Sequence, residues 1–235
     1  MEQDEHTYPT PTGRTAAMSA AARVAEERRL LQGARVVSAV FTPLTIPFLA
    51  FLALFLFSYL RIMPFGYKAM LLGVVYCFTV LMPLLAVFVY RRFIASAEER
   101  GDRQITFALI TLSYACCLVL MWWFNLPWYL TNIILASVVT TVLCALADIR
   151  WQLSEHMAGT GLATGCAVAF GEVFAFNPVW LLCLLLLASG LVGTARIILR
   201  KHNVAEVAGG YALGLGCSLL MLLPGPGAAI ARLLP

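Results

Sequence analysis

Seven apolar stretches, each close to the ~20 residues that a helix needs to cross a bilayer, most constrain what this chain can fold into. Charged residues make up 12% of the chain and the mean hydropathy is +0.87, whereas soluble proteins carry about 25% charged residues. We therefore expect an all-α fold, a polytopic membrane helix bundle. The predicted spans are 37–60, 67–90, 105–124, 128–147, 157–176, 178–195 and 207–224.

The N-terminal segment differs in composition from the rest of the chain. Residues 1 to about 14 are polar and predicted to be disordered, whereas 15–33 are rich in alanine and alternating charges, which favours a helix at the membrane surface. This charged region is too long for a cleaved signal peptide. We divide the chain into a polar tail with an interfacial amphipathic helix, 1–34, and a transmembrane domain, 35–235.

The cysteines all lie within apolar stretches, are odd in number and form no CxxC pair. This pattern is typical of small core residues and not of a disulfide framework or a metal site. They are Cys77, Cys116, Cys117, Cys144, Cys166, Cys183 and Cys217.

Three polar connections, 91–104, 148–156 and 196–206, interrupt the apolar stretches. Two crossings separate each from the next, and an even number of crossings returns a chain to the same face. We therefore expect all three connections to meet on one side of the membrane.

The basic residues are distributed unequally between the two faces. The face with the polar connections and the N-terminus carries thirteen Arg and Lys residues, and the other face carries three. This excess predicts that the face with the polar connections is cytoplasmic. The three on the other face are Arg61, Lys68 and Arg232.

The third connection contains an arginine, a histidine and a carboxylate: Arg196, His202 and Glu206. If 202–206 is helical, His202 and Glu206 lie on one face, where the carboxylate can hold the imidazole in one tautomer. The planar guanidinium of Arg196 suits a phosphate. Taken alone, the His–Glu pair is also compatible with a surface pair one helical turn apart.

The other two connections bring more polar side chains to the same face. The second supplies Ser154 and His156 at the start of a span rich in small residues, which we expect at the centre of the bundle. The first supplies Arg103 at the entrance of a span, with Arg100 close by.

These residues resemble the three motifs of the type 2 phosphatidic acid phosphatase family, and in particular its membrane-bound bacterial branch. The third motif, Ser-Arg-x5-His-x3-Asp, is similar to Ala195-Arg196-x5-His202-x3-Glu206, and Pro-Ser-Gly-His is similar to Leu153-Ser154-Glu155-His156. The first, Lys-x6-Arg-Pro, is matched only by Arg103-Gln104. Ser96 stands where the lysine is expected, and Arg100, Arg91 or Arg92 would replace its charge.

The resemblance implies a core of six spans and a metal-independent phosphohistidine mechanism without a cofactor. His202 would be the nucleophile, oriented by Glu206, and His156 would protonate the leaving oxygen. Arg196, Arg103, Ser154 and Arg100 would bind the phosphoryl oxygens. The partners implied are a lipid phosphate substrate and membrane lipids, not nucleic acid; the sequence does not define the oligomeric state.

The substrate depends on which face carries the site. A cytoplasmic site favours phosphatidic acid or phosphatidylglycerol phosphate, and the opposite face favours undecaprenyl diphosphate or lipid A phosphates. The departures from the motifs at Ala195, Glu155 and Glu206 leave an alternative, a weakened or inactive member that binds lipid phosphate or is structural. A small transporter is a weaker alternative, because the spans hold almost no charge.

Overall fold

A computed structural model of the protein describes residues 11–93 and 99–225, and no β-strand occurs within these ranges. The chain folds into helices joined by short turns. The helices are α1 (Pro11–Val40), α2 (Ile46–Phe57), α3 (Phe65–Tyr76), α4 (Met82–Phe93), α5 (Glu99–Trp123), α6 (Trp128–Ala147), α7 (Glu155–Phe174), α8 (Val179–Ile198) and α9 (Val204–Leu222). A π-helical turn, Cys77–Leu81, joins α3 and α4 into one continuous helix of 29 residues.

Six of these helical segments are long and apolar enough to cross a membrane: the joined α3–α4 and each of α5 to α9. They correspond to six of the seven predicted spans, and α6 begins and ends at the predicted residues. The prediction of an all-α polytopic membrane bundle is therefore confirmed.

The remaining predicted span, 37–60, is not a single helix. Helix α1 continues to Val40, the chain leaves helical geometry near Thr42 and Pro43, and α2 has only 12 residues. A proline disfavours helical geometry in the residue before it, which accounts for the break. The hydroxyl of Thr45 donates to the carbonyl of Thr42 at 2.8 Å and closes the turn. Helix α2 is about 18 Å long, shorter than the ~30 Å hydrocarbon core.

The N-terminal helix is longer than predicted. Helix α1 begins at Pro11, so the last residues of the predicted disordered tail, 11–14, are helical, and residues 1–10 lie outside the described part of the chain. The helix also continues through position 34, where we placed the domain boundary. Its last turns lie against α8.

Helix α7 lies at the centre of the bundle, as its small residues predicted. Two-thirds (67%) of its most apolar window is buried, compared with 17% for α3–α4. Its closest neighbour is α9, and glycines on both helices allow the contact. A Cβ atom at Gly161 would overlap the carbonyl of Tyr211, and one at Gly214 would overlap the carbonyl of Ala158. This packing fixes the start of α7 beside the start of α9.

The seven cysteines are free thiols. Four of them are buried, as expected of small core residues: Cys117, Cys144, Cys166 and Cys217. Cys116 and Cys183 are exposed on the outside of the bundle, so the prediction of a core position is wrong for these two.

Candidate active site

The three polar connections meet at one end of the bundle, as the crossing count predicted. Arg103, near the start of α5, lies 3.0 Å from the carboxylate of Asp148 and 3.7 Å from that of Glu155, both in the second connection. The backbone N–H of Ser154 donates to the carbonyl of Glu206 at 3.2 Å, which joins the second connection to the third.

His202 and Glu206 are in contact, but not in the way we predicted. Helix α9 begins at Val204, so His202 precedes the helix and does not share a helical face with Glu206. Instead, Glu206 reaches back over the first turn, and one of its oxygens lies 3.0 Å from Nδ1 of His202. The imidazole side chain is only 5% exposed, so the pair is sheltered from solvent.

The first turn of α9 is a capping box. The Asn203 side chain accepts a hydrogen bond from the backbone N–H of Glu206 at 2.9 Å, and the Glu206 carboxylate accepts one from the backbone N–H of Asn203 at 3.2 Å. A capping box needs the longer arm of Glu or Gln at its fourth residue. This gives a physical reason for Glu206 where the family pattern has Asp: one carboxylate caps the helix and contacts the histidine.

The surroundings of His202 favour its neutral form. Burial lowers the pKa of His202 below its usual value, the hydrogen bond to Glu206 opposes that shift, and the positive charge of Arg196 adds to it. Because the carboxylate accepts a hydrogen bond from Nδ1–H, the lone pair of the neutral ring is on Nε2. Nε2 is therefore the nitrogen that can act as a nucleophile.

Arg196 and His156 are brought together by a residue that sequence reasoning missed. Ser38, near the end of α1, accepts a hydrogen bond from Nη1 of Arg196 on its hydroxyl at 3.1 Å. The backbone carbonyl of Ser38 lies 3.2 Å from Nε2 of His156. No sequence signal marks this serine, which we placed at the start of the predicted span 37–60.

Two buried donors in this cluster have no hydrogen-bond partner within the described ranges 11–93 and 99–225. They are Nε of Arg196 and the hydroxyl of Ser154, whose residue is fully buried (0% exposed). Ser154 is the N-cap residue of α7, yet its side chain makes no capping bond. Buried donors are almost always satisfied, so two unpaired ones in the same cluster need an explanation.

Arg103 is held by carboxylates that we did not assign to the site. Asp148 is buried (3% exposed) at the end of α6, and Glu155 faces the same guanidinium from the first turn of α7. Arg103 therefore lies beside the second connection, where these two carboxylates balance its positive charge. The side chain of Arg100 and residue Ser96 lie outside what the structure describes.

A small apolar pocket opens next to the polar cluster. Glu155 lies at its polar end, and its walls come from α2, α5, α6 and α7, including Ile46, Phe107, Tyr114 and Leu162. A second small apolar pocket lies on the other side of Ile46, between α2, α7 and α8.

No family model matches this chain, and the searches of curated proteins and of solved structures also return no match. The resemblance to the phosphatase family therefore rests on the motifs and on the positions of their residues in the fold.

Proposed function

We propose that the protein is an integral membrane lipid phosphatase that hydrolyses a phosphate monoester or pyrophosphate of a lipid through a phosphohistidine. The observation that carries the proposal is the pair of buried, unpartnered donors on Arg196 and Ser154 beside the His202–Glu206 contact. A phosphoryl group would satisfy both donors, and its oxygens are the acceptors that a guanidinium binds best.

The proposed reaction uses the chain's own side chains. Nε2 of His202 attacks phosphorus, a P–N bond forms, and the bond from phosphorus to the lipid oxygen breaks. His156 is the general acid that protonates the leaving oxygen. It then removes a proton from water, which attacks phosphorus, releases inorganic phosphate and restores His202. Glu206 stabilises the charge that His202 carries in the intermediate.

Charge neutralisation in this reaction falls mainly to Arg196. Catalysis of phosphoryl transfer depends on positioning and on balancing the charge of the equatorial oxygens. Arg103 is paired with Asp148 at 3.0 Å and has Glu155 nearby, so it contributes less positive charge to a phosphate than a free arginine. The same pairing favours a second candidate function, binding of a lipid phosphate without turnover.

The substrate enters from the bilayer in this proposal. The apolar pocket beside Glu155 receives a hydrocarbon chain while the phosphate reaches the polar cluster. The excess of basic residues on the N-terminal face favours a cytoplasmic site in a bacterial inner membrane. Phosphatidic acid and phosphatidylglycerol phosphate are then the preferred substrates, and undecaprenyl diphosphate would indicate the opposite orientation.

Arg196→Ala is expected to lower kcat/KM for a lipid phosphate by about a hundredfold or more, because it removes a buried charge from the phosphoryl oxygens. The measurement is phosphate release from purified protein over a panel of phosphatidic acid, phosphatidylglycerol phosphate and undecaprenyl diphosphate. Arg200→Ala is the matched control, since Arg200 is exposed in the adjoining turn. Binding of a panel lipid without phosphate release would favour the second candidate function.

The acid limb of the pH–rate profile is expected below pH 6.5, because the pKa of His202 is lowered by burial and the nucleophile must be neutral. Glu206 raises that pKa, so Glu206→Gln should move the acid limb to still lower pH while reducing the maximal rate. The measurement is kcat/KM against pH for both proteins on one substrate, so that substrate ionisation cancels. An acid limb at the same pH in both proteins would contradict the role of His202.

A further inference from the structure

Ser38 presents two oxygen atoms to the two side chains that the proposed reaction needs. Its hydroxyl oxygen lies 3.1 Å from Nη1 of Arg196, and its carbonyl oxygen lies 3.2 Å from Nε2 of His156. Both are acceptor positions, and both come from one residue of α1, far from the three motifs in sequence.

These contacts occupy positions that a substrate requires. Arg196 would direct its guanidinium at a phosphoryl oxygen, and His156 would direct a ring nitrogen at the leaving oxygen. The Ser38 hydroxyl oxygen takes the place of the phosphoryl oxygen, and the Ser38 carbonyl oxygen takes the place of the leaving oxygen. Arg196 and His156 must therefore release Ser38 before they can bind the substrate.

The end of α1 is separated from α2 by a short non-helical connection. The helix ends at Val40, and the chain between it and α2 is non-helical. Among the described side chains of α1, the packed ones lie in the last turns: Ala34 is buried, and Val37 packs against Met157, Val192 and Val207. Most described side chains of the preceding stretch, 23–33, are exposed. The last turns of α1 are thus held by apolar packing against α8 and by the two contacts of Ser38, and the non-helical turn that follows gives them a point at which to bend.

We propose that the C-terminal turn of α1 is a lid and that Ser38 holds it closed by taking the place of the substrate's oxygens. The proposal rests on the proposed lipid phosphatase function, because it needs Arg196 and His156 to be substrate ligands. Since α1 belongs to the face that carries the site, binding of a lipid phosphate releases the lid where the helix meets the bilayer.

Ser38→Ala tests the lid. Loss of the hydroxyl removes an acceptor from Arg196 in the closed state only, so the open state gains population and the KM for phosphatidic acid falls by about fivefold. The kcat stays within about twofold, because Ser38 takes no part in the chemical steps. Ser189→Ala is the matched control, since the Ser189 hydroxyl bonds only to its own helix, at Leu185. A KM that is unchanged or higher in Ser38→Ala overturns the lid.

A second measurement follows the movement directly and does not depend on turnover. An environment-sensitive fluorophore on Val40→Cys, an exposed position beside Ser38, is expected to change its emission when inorganic phosphate is added. The change should vanish in Arg196→Ala. Phosphate that binds in an Arg196-dependent way without changing the emission overturns the lid and leaves the proposed function intact. Absence of any Arg196-dependent phosphate binding overturns both.

Discussion

His202→Ala is expected to lower kcat for lipid phosphate hydrolysis by at least about a thousandfold, because it removes the proposed nucleophile. His202 lies 3.0 Å from Glu206, is sheltered from solvent and is held neutral by its surroundings. The wild-type protein should also form a phosphohistidine that survives alkaline quenching and is lost in acid. The measurement is ³²P incorporation from labelled phosphatidic acid, together with phosphate release.

His156→Ala is the matched control for this experiment. His156 supplies a proton to the leaving oxygen, so its loss should cost about 10²–10⁴-fold on a lipid phosphate and much less on p-nitrophenyl phosphate, whose leaving group needs no proton. The loss in His202→Ala should be the same on both substrates. Equal label incorporation in wild type and His202→Ala would exclude this histidine as the nucleophile.

Gly214→Ala is expected to destabilise the bundle by about 3 kcal/mol or more, the upper part of the range for overpacking. The added Cβ would overlap the carbonyl of Ala158 and approach the backbone of Leu162, and neither backbone group can turn away. The helices α7 and α9 must then separate, which breaks the bond from Ser154 N–H to the Glu206 carbonyl. Thermal unfolding in detergent measures the stability, and phosphate release measures the coupled loss of the site.

Gly216→Ala provides the control on the same helix. A Cβ at Gly216 would meet nothing within 4 Å, so this substitution should be neutral or stabilise the helix by up to about 1 kcal/mol. Equal unfolding temperatures for the two alanine variants would contradict the inference that close packing of α7 on α9 positions the second and third connections.

The fold could be predicted where apolar length and turn residues agree. Helix α6 matches its prediction because Asn125 and Pro127 end the helix before it and Asp148 follows it. The span 37–60 was wrong because averaged hydropathy does not register a local break, although Thr42-Pro43 was a visible turn signal. Hydropathy alone therefore predicts a full span where the structure has the 12-residue helix α2.

The sequence predicted that the candidate residues lie at one end of the bundle, but it did not predict their side-chain contacts. Arg196, His202, Glu206, His156 and Ser154 all come to one end of the bundle, since crossing parity depends only on the number of spans. The pairing of Arg103 with Asp148 depends on the burial of the Asp148 side chain, which the spacing of residues in the sequence does not indicate.

The contact of Ser38 with Arg196 joins residues 158 positions apart in the chain, which a single sequence does not disclose. The capping box, by contrast, was readable in Asn203-x-x-Glu206 and was missed because the segment was treated as continuous helix.

Glu206 has two roles, as a helix cap and as a partner of His202, and this affects how related sequences should be interpreted. One carboxylate accepts hydrogen bonds from the backbone and side chain of Asn203 and also contacts His202. A related sequence without the proposed chemistry would still keep this glutamate, because α9 needs its cap to start. The glutamate in a related sequence is thus evidence of a stable helix, whereas a histidine at 202, which caps nothing, is the residue expected to accompany the proposed phosphohistidine chemistry.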